Sequence, residues 1–284
     1  MIEILGKNGA GKSYLANKLY GMGFKRSVNF TTRPKREGEV NGVDYFFIDN
    51  EEFEKLIQEG FFVEYKERNG KYYGTPKENI SPQTILVAGD SSKFKHLIQD
   101  DIIPIYINAS LPVRFERVKA RNNGKKDLFE RFHGENFLYL DNFKGLFVDN
   151  DKSDESSLNS MLSQINQNGG VNDKSVLKNN HEFIREWLDE FDQFNVHKYK
   201  DPMLMFLAYE EFVMRKATQM FKMANPENEV FVQNFYMRQM SEFMRTYGMK
   251  FETREDEGFT VCFDGESFKA DFESEKLQRM YMEK

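Results

Sequence analysis

A glycine-rich loop directly after the first five residues constrains the fold of this chain more than any other feature. Residues 6–13 read Gly-Lys-Asn-Gly-Ala-Gly-Lys-Ser, between an apolar run at 1–5 and a helix-like run at 14–20. This matches the pattern G-x-x-x-x-G-K-[ST] in the strand-loop-helix context that the pattern requires. Because both flanking elements are in place, a chance match in a glycine-rich turn is disfavoured. The sequence predicts a loop that binds the phosphates of a nucleoside triphosphate.

Each residue type in this loop has a reason in phosphate chemistry. Glycines let backbone N–H groups surround the phosphates, and the following helix directs its positive end at them. Lys12 would neutralise the β- and γ-phosphates, and the Ser13 hydroxyl would complete the oxygen shell of Mg²⁺. We therefore expect ATP as ligand, Mg²⁺ as cofactor with Ser13 as metal ligand, and an ATP site made of Gly6, Asn8, Gly9, Ala10, Gly11, Lys12, Ser13 and Tyr14.

Length and composition predict two domains and no membrane span. The chain has 284 residues, more than a usual single domain, and 39% of them are hydrophobic. No apolar run approaches the length of about 18 residues that suggests a bilayer span, and we expect no leader because the first five residues are predicted to form a strand. Cys262 is the only cysteine. It excludes an intramolecular disulfide and a cysteine-rich zinc site, which suits a cytoplasmic protein.

The net charge of −6 is concentrated in the C-terminal part. Residues 177–284 carry 15 Lys+Arg and 21 Asp+Glu, a net of −6, which leaves 25 of each in residues 1–176. An acidic region argues against broad attraction to polymeric nucleic acid or to an anionic membrane. We therefore expect neither of these as a partner.

The first part of the chain alternates strand and helix patterns, as an open parallel sheet with helices on both faces does. Short apolar runs at 2–5, 84–88, 103–107 and 145–148 predict buried parallel strands, and 51–60 has helical spacing. Shorter strands at 45–48, 61–68 and 71–73, with a turn at Asn69-Gly70, predict a small β insertion. We place a first domain at 1–165 and a polar, turn-rich linker at 166–178.

Residues 179–284 change to a mainly helical α+β pattern. Helical spacing covers 181–194, 202–223 and 227–247, followed by a hairpin at 259–263 and 268–272 around Asp264-Gly265 and a closing helix at 273–282. Methionine is frequent in these helices, and it packs adaptably in cores and at contact surfaces. We favour a plain helical core; a homodimer interface, a surface for a protein partner, or docking on the first domain remain open.

A family resemblance becomes specific after the phosphate loop. The segment 27–47, with Glu52-Phe53, the run 61–64 and the run 70–75, is similar to the nucleotide-monophosphate-binding half of a guanylate kinase. The resemblance covers residues 1 to about 165. It implies an enzyme that transfers the γ-phosphoryl group of ATP to GMP or dGMP, giving the diphosphate and ADP.

Two arginines and two tyrosines are assigned to the acceptor phosphate. Arg33 and Arg36 lie three residues apart, so both guanidinium groups can converge on one phosphate. The resemblance assigns them to the phosphate of the acceptor. It adds the hydroxyls of Tyr45 and Tyr73, for which the alternative is a half-buried strand aromatic.

The resemblance also implies how the guanine base is read. Guanine presents two donors on one edge, N1–H and the 2-amino group, which suit the two oxygens of the Glu64 carboxylate. Thr75 would bond O6. Two positions depart from the family pattern: Asn29 replaces a serine, and Asp90 stands alone where the family has an Asp-x-Asp pair. The predicted acceptor site comprises Asn29, Arg33, Arg36, Tyr45, Glu64, Tyr73, Gly74, Thr75 and Asp90.

Further arginines follow the strand at 103–107. Arg114, Arg117 and Arg121 have i, i+3, i+7 spacing, which places them near one helix face. With Arg131, the last two resemble the lid arginines of this kinase family, although a solvated basic helix is the alternative. Phosphoryl transfer needs positive charge around the moving group. The predicted catalytic residues are Lys12, Arg36, Arg117, Arg121 and Arg131.

Two other functions remain open from the sequence. The departure at Asp90 leaves room for a kinase that acts on another or a modified (deoxy)nucleoside monophosphate. The chain could instead be a non-catalytic guanylate kinase-like binding module, against which the intact Lys12 and Ser13 argue. The function of 179–284 does not follow from the sequence.

Overall fold

The computed structural model of the chain describes residues 1–35, 38–68, 70–81, 83–87, 103–121, 124–133, 145–152, 155–167, 195, 198–223, 229–255 and 258–271. Residue contacts divide the chain into two units: unit 1 is Met1–Asn108 with Lys144–Asn180, and unit 2 is Ala109–Phe143 with His181–Lys284. The predicted domain at 1–165 includes 109–143, whereas the contacts group this segment with the C-terminal region.

Unit 1 is built on a five-stranded parallel sheet, which confirms the predicted α/β class. Its strands are β1 (Ile2–Leu5), β2 (Lys25–Arg26), β7 (Thr84–Val87), β8 (Ile103–Asn108) and β9 (Leu146–Asp149). They lie in the order β2-β7-β1-β8-β9. Every residue of β1 is buried, as a central strand covered on both faces requires.

Two helices cover one face of this sheet, α1 (Lys12–Tyr20) and α5 (Glu155–Gln167). Leu15 and Leu19 of α1 and Met161 of α5 lie in one apolar cluster with Ile4 and Ile107 of the sheet. Because α1 starts at Lys12, only six residues join it to β1. The phosphate loop is therefore fixed between the central strand and a packed helix, at the edge where α/β sheets bind ligands.

The predicted β insertion is a separate four-stranded sheet. Its strands are β3 (Asn29–Thr31), β4 (Tyr45–Phe47), β5 (Phe62–Arg68) and β6 (Lys71–Pro76), in the order β4-β3-β6-β5. Helix α2 (Asn50–Gln58) begins where the side chain of Asp49 accepts a hydrogen bond from the backbone N–H of Glu52 at 2.8 Å. The sequence analysis did not predict β3.

Unit 2 combines helices with a three-stranded antiparallel sheet. The helices are α3 (Leu111–Lys119), α4 (Lys125–Phe132), α6 (Pro202–Met223) and α7 (Glu229–Thr246), and the strands are β10 (Lys250–Thr253), β11 (Gly258–Phe263) and β12 (Glu266–Asp271). One core contains residues of all four helices, including Phe115, Phe129, Phe206 and Tyr236. Met203, Met240 and Met244 are buried in this core, as the plain-core interpretation expects.

Helix α6 and the hairpin turn of the C-terminal region follow their local sequence signals, whereas β10 was not predicted. Helix α6 has the predicted bounds, and Asp201 caps it by accepting backbone N–H bonds from Met203 and Leu204 at 3.0 and 3.1 Å. Asp264 and Gly265 form the predicted turn with φ of 50° and 83°. The predicted helices at 181–194 and 273–282 lie outside the described residues, as does 168–178 of the predicted linker, while 166 and 167 end α5.

Within the described ranges, no helix is long and apolar enough to cross a bilayer.

Gly6 cannot carry a side chain in this fold, and this gives a first prediction. Its φ is 142°, and a Cβ atom would collide with the backbone oxygen of Ile107. Gly23 has a φ of 96° with nothing within 4 Å of such an atom. We expect Gly6→Ala to lower the free energy of unfolding by about 2–4 kcal/mol and Gly23→Ala by about 1 kcal/mol, measured by chemical denaturation and calorimetry. Equal losses would show that the contact with Ile107 is unimportant.

Candidate active site

The phosphate loop has the backbone that its glycines predict. Gly6, Gly9 and Gly11 have φ of 142°, 76° and 96°, which favour glycine over other residues. The Nζ of Lys12 donates to the backbone oxygens of Gly6 at 2.6 Å and of Lys7 at 3.0 Å. The ammonium group is thus held against the loop at the start of α1, where anions bind.

A buried amide ties this loop to the next strands of the sheet. Asn150, directly after β9, is fully buried, and its Nδ2 donates to the backbone oxygen of Ala10 at 2.7 Å. The backbone N–H of Asn150 donates to the backbone oxygen of Asn108 at the end of β8, at 2.8 Å. The carboxyl ends of β1, β8 and β9 are therefore joined through one residue, which fixes the shape of the loop.

The strand register sorts the predicted acceptor residues onto one face of the β insertion. Asn29 is paired with Tyr45, and Thr31 with both Phe47 and Tyr73. Residues paired across strands share a face, and side chains alternate along each strand. Asn29, Tyr45 and Tyr73 consequently lie on the same face, which we call the acceptor face.

The opposite face of the insertion is an aromatic core. Phe30 stacks on Phe46 with ring centroids 4.7 Å apart, and Phe53 of α2 stacks on Phe62 at 4.6 Å and on Tyr72 at 5.2 Å. Such pairs stabilise beyond their buried area. This packing against α2 holds the acceptor face in place.

A β-bulge decides the position of Glu64. The pairing of β5 with β6 shifts between Phe62 and Glu64, so that Glu64 is paired with Thr75. Without this shift, alternation would place Glu64 on the face of Phe62, among the aromatic rings. The bulge therefore puts Glu64 on the acceptor face beside Thr75, and these are the two residues that the resemblance assigns to the base.

Gly74 lies on the other face, and packing explains why it is a glycine. A Cβ atom at Gly74 would lie 2.7 Å from the ring of Phe62 and 2.9 Å from that of Phe53. The missing side chain thus makes room for the aromatic core. A role of its backbone in acceptor binding remains a prediction.

Arg33 is held in a fixed orientation on the acceptor face. Its guanidinium makes a bidentate pair with the carboxylate of Glu39, at 2.5 and 2.7 Å, and donates to the backbone oxygen of Pro34 at 2.9 Å. The guanidinium carbon lies 5.1 Å from the ring centre of Tyr45 and 5.3 Å from that of Phe47. The hydrogen bond with Glu39 raises the pKa of Arg33, so the charge is permanent.

These bonds use three of the five N–H donors of Arg33. Glu39 therefore both orients the guanidinium and reduces its positive charge. An anion that binds Arg33 either adds to this pair or displaces Glu39.

Tyr45 lies between Arg33 and Tyr73. Its ring centre is 6.3 Å from that of Tyr73, in an edge-to-face arrangement. Burial raises the pKa of Tyr45, and the nearby charge of Arg33 opposes this effect. The phenol therefore stays protonated at neutral pH and is a hydrogen-bond donor. The structure thus brings together Arg33, Tyr45 and Tyr73, three of the four residues predicted to hold an acceptor phosphate.

The amide of Asn29 is oriented by a short chain of hydrogen bonds. The Ser27 hydroxyl donates to its Oδ1 at 3.1 Å and accepts from Nδ2 of Asn79 at 2.7 Å. With Oδ1 engaged, the NH₂ end of Asn29 is the end that can donate to an anion. Two other predicted residues, Arg36 and Asp90, lie outside the described residues.

The predicted lid arginines belong to unit 2 and differ in their surroundings. Arg117 on α3 is half-buried, and Arg121 is exposed beyond the end of that helix. Arg131 on α4 pairs with Asp127 at 2.7 Å. Arg114 is buried, with 2% of its surface exposed. The shared helix face expected for Arg114, Arg117 and Arg121 is therefore not observed, because α3 ends at Lys119 and Arg114 faces the core.

The loop residues fit a magnesium-nucleotide complex. The Ser13 side chain is exposed in the first turn of α1, directly after Lys12. In the part of the chain that the structure describes, no group of three or more His, Cys, Asp or Glu residues could hold a metal by itself. Magnesium with few protein ligands and several phosphate or water oxygens is its usual mode in nucleotide sites.

Two residues of the site were missed by the sequence reasoning. Glu39 lies in a loop of polar residues and Asn150 in an Asp-Asn-Asp run, and neither run has a periodicity that marks a buried side chain. The nearby arginine at position 33 is the only sequence signal for Glu39. For Asn150, the signal is its place just after a predicted parallel strand, at the edge that binds ligands.

Sequence comparisons relate the first part of the chain to one family of known proteins. The family model described as "Guanylate kinase" matches residues 1–164. A guanylate kinase of Streptococcus agalactiae serotype III (strain NEM316) is 49% identical over 84 residues, 28% of this chain and 40% of that protein. A guanylate kinase of Neisseria meningitidis serogroup A is 38% identical over 126 residues, 42% of this chain and 60% of that protein. The chain thus spans about two fifths of the length of the streptococcal relative.

A solved structure is also similar to the chain. The crystal structure of guanylate kinase from Anaplasma phagocytophilum aligns with a TM-score of 0.43 and 25% sequence identity, over 63% of this chain and 93% of that one.

The bond between Asn150 and the phosphate loop gives a second prediction. Asn150→Asp keeps the shape of the side chain but replaces the donor with an acceptor opposite the oxygen of Ala10. We expect the Kd of Mg²⁺-ATP to rise about 5- to 30-fold, the equivalent of about 1–2 kcal/mol, measured by isothermal titration calorimetry. Asn17→Asp, on the exposed side of α1, is the matched control and should bind as the wild type does. Unchanged binding by Asn150→Asp would contradict the assigned role.

Proposed function

The chain belongs to the guanylate kinase family, and on that premise we propose that it is an ATP-dependent nucleoside monophosphate kinase that phosphorylates GMP or dGMP. What carries this proposal is that unit 1 contains both parts that such a reaction needs. One is the glycine loop with Lys12 and Ser13 for the donor, and the other is the acceptor face with Arg33, Tyr45 and Glu64.

The donor side of the reaction follows from the loop. Lys12 would exchange its bonds with the oxygens of Gly6 and Lys7 for the β- and γ-phosphates of ATP. Ser13 would supply one oxygen to Mg²⁺, which neutralises charge that develops on the transferred group. The backbone N–H groups at the start of α1 would hold the remaining phosphate oxygens.

The acceptor side follows from the acceptor face. Arg33 and the hydroxyls of Tyr45 and Tyr73 would bind the monophosphate, with Asn29 as a further donor. Arg36 has the same assignment. Transfer of a phosphoryl group in line between two bound nucleotides needs positioning and electrostatic stabilisation, with little covalent help. Arg117, Arg121 and Arg131 are the residues that we assign to the charge of the moving group.

The preference for guanine rests on the Glu64–Thr75 pair. A carboxylate accepts from both N1–H and the 2-amino group of guanine, whereas adenine offers a donor and an acceptor on the corresponding edge. Thr75 is buried, at 1% exposure, so an unmatched base would leave its hydroxyl unsatisfied. The pair therefore favours guanine over adenine as acceptor base.

The third prediction tests the reaction and the base together. We expect ADP production from Mg²⁺-ATP with GMP or dGMP, and not with AMP, CMP, UMP or dTMP offered separately. Lys12→Ala should abolish turnover. Glu64→Gln should lower kcat/KM for GMP about 100-fold, because the amide places an N–H group against a donor.

The other two functions give different results in the same assay. Turnover with an acceptor other than GMP or dGMP would support the alternative kinase, which acts on another or a modified nucleoside monophosphate. No turnover with any acceptor, although the chain is folded and binds ATP, would contradict the kinase and favour a non-catalytic binding module.

The fourth prediction concerns the pH dependence of acceptor binding. Because burial raises the pKa of Tyr45, its hydroxyl is a donor from pH 7 up to about pH 9.5. Tyr45→Phe should therefore raise the KM for GMP about tenfold or more, by a constant factor across this range. Tyr65→Phe, at an exposed strand position, is the control. A factor that falls toward one above pH 8 would mean that Tyr45 ionises and is not a permanent donor.

A further inference from the structure

Two consecutive carboxylates lie in the core of unit 2. Glu210 and Glu211 of α6 have 3% and 6% of their surface exposed. Buried carboxylates are costly unless charged or hydrogen-bonding partners meet them. Consecutive residues of a helix point in different directions, so each carboxylate meets its own partner. Both partners come from the segment that carries Arg117, Arg121 and Arg131.

Glu211 meets Arg114 of α3. Its Oε2 lies 3.8 Å from a terminal nitrogen of Arg114, whose Nε donates to the backbone oxygen of Ala109 at 3.1 Å. The guanidinium also lies 5.3 Å from the ring centre of Phe132 at the end of α4. Arg114 is one helical turn before Arg117. A contact that fixes the rotation of α3 at Arg114 therefore also fixes the direction of Arg117.

Glu210 meets the end of α4. Its Oε1 lies 2.8 Å from Nδ1 of His133 and accepts a hydrogen bond from the hydroxyl of Tyr236 at 2.7 Å. The Nε2 of His133 accepts the backbone N–H of Asp271 at 3.0 Å, so the neutral imidazole carries its proton on Nδ1. His133 is two residues after Arg131, and this cluster joins α4 to α6, α7 and β12.

Apolar contacts and surface ion pairs also join α3 and α4 to the C-terminal region. Phe115, Val118 and Phe129 of α3 and α4 lie in one cluster with Phe206 and Phe259 of the C-terminal region. At the surface, Lys119 pairs with Asp201 at 3.0 Å, and Lys125 pairs with Asp264 at 3.2 Å. Exposed pairs of this kind contribute little. The orientation of α3 and α4 therefore depends chiefly on the core and on its two carboxylates.

We propose that the C-terminal region is the platform that positions the arginine-bearing helices α3 and α4 for phosphoryl transfer, with Glu211 and Glu210 as positioning residues that act through Arg114 and His133. The proposal rests on the proposed kinase function. It gives residues 198–271 a task in the reaction without a nucleotide contact of their own. It requires that loss of a carboxylate affects the transfer step, while the affinity of unit 1 for both nucleotides is kept.

The test uses the full chain with Glu211→Gln, which keeps the size of the side chain and removes its charge. We expect kcat to fall about 10- to 100-fold, as a small displacement of transfer groups produces, with KM for ATP and GMP changed less than about twofold. Arg114→Gln should have the same effect. The double variant should be no slower than either single one, because the two residues act as one unit.

The controls separate this role from general loss of structure. Glu242→Gln, at an exposed position of α7, should leave kcat unchanged. Circular dichroism and thermal unfolding should show that each variant is folded at the assay temperature. If Glu211→Gln does not fold, Glu210→Gln is used as the test variant, because its amide oxygen still accepts the hydrogen bond from Tyr236. We expect the same fall in kcat at constant KM.

Each other outcome has a definite meaning. An active wild type whose folded Glu211→Gln or Glu210→Gln variant keeps its kcat would overturn the platform and leave the kinase intact. A rise in KM at constant kcat would also overturn it, because the carboxylates would then act on binding. A wild type without turnover for any acceptor would reject the kinase and the platform together.

Discussion

The close approach of Gly6 to the backbone of Ile107 is the constraint on which the nucleotide end of unit 1 depends. It needs a residue without a side chain at the point where β1 ends beside β8. Once the loop turns there, α1 starts at Lys12 and packs on the sheet through Leu15 and Leu19. Asn150, directly after β9, then donates a hydrogen bond to the backbone oxygen of Ala10 in the loop. The shape of the loop is therefore set by three strand ends and one helix that are in direct contact.

The four-stranded sheet of the β insertion has an aromatic core on one face and polar groups on the other. Alternation along the strands gives one face to Phe30, Phe46 and Tyr72 and the other to Asn29 and Tyr45. A regular pairing would place Glu64 on the aromatic face, and the bulge after Phe62 prevents this. One irregular residue thus sets which side of the sheet carries the Glu64 carboxylate.

In unit 2, buried charged side chains contact one another across segments that are far apart in the sequence. Arg114 and His133 come from the first half of the chain, and Glu211 and Glu210 from the second. Breaking a buried pair leaves a desolvated charge, so the loss of either partner is costly. The same helices carry the arginines assigned to the transfer step. In this chain the helices of the catalytic family and the added C-terminal region are one folded unit.

Much of the fold and part of the site were predictable because their signals are local. The phosphate loop is a run of eight residues, the parallel strands are short apolar runs, and α6 has a capping Asp201 before a periodic helix. Arg33, Tyr45 and Tyr73, which the family resemblance related to one another, lie together in the structure. The spacing of three arginines indicated a helix in the region of α3, whereas α4 was not predicted, since it begins after Gly124 without a capping side chain.

What the sequence alone determined is the set of chemical groups: a lysine and glycines in the loop, and arginines, tyrosines and a carboxylate in the segments that the resemblance covers. Only the tertiary structure decided how they are placed. The bulge selects the face of Glu64, Glu39 orients Arg33, and Arg114 lies in the core near Glu211 and not beside Arg121. These outcomes depend on contacts between residues distant in the chain and on the cost of burying charge, and neither is visible in a local pattern.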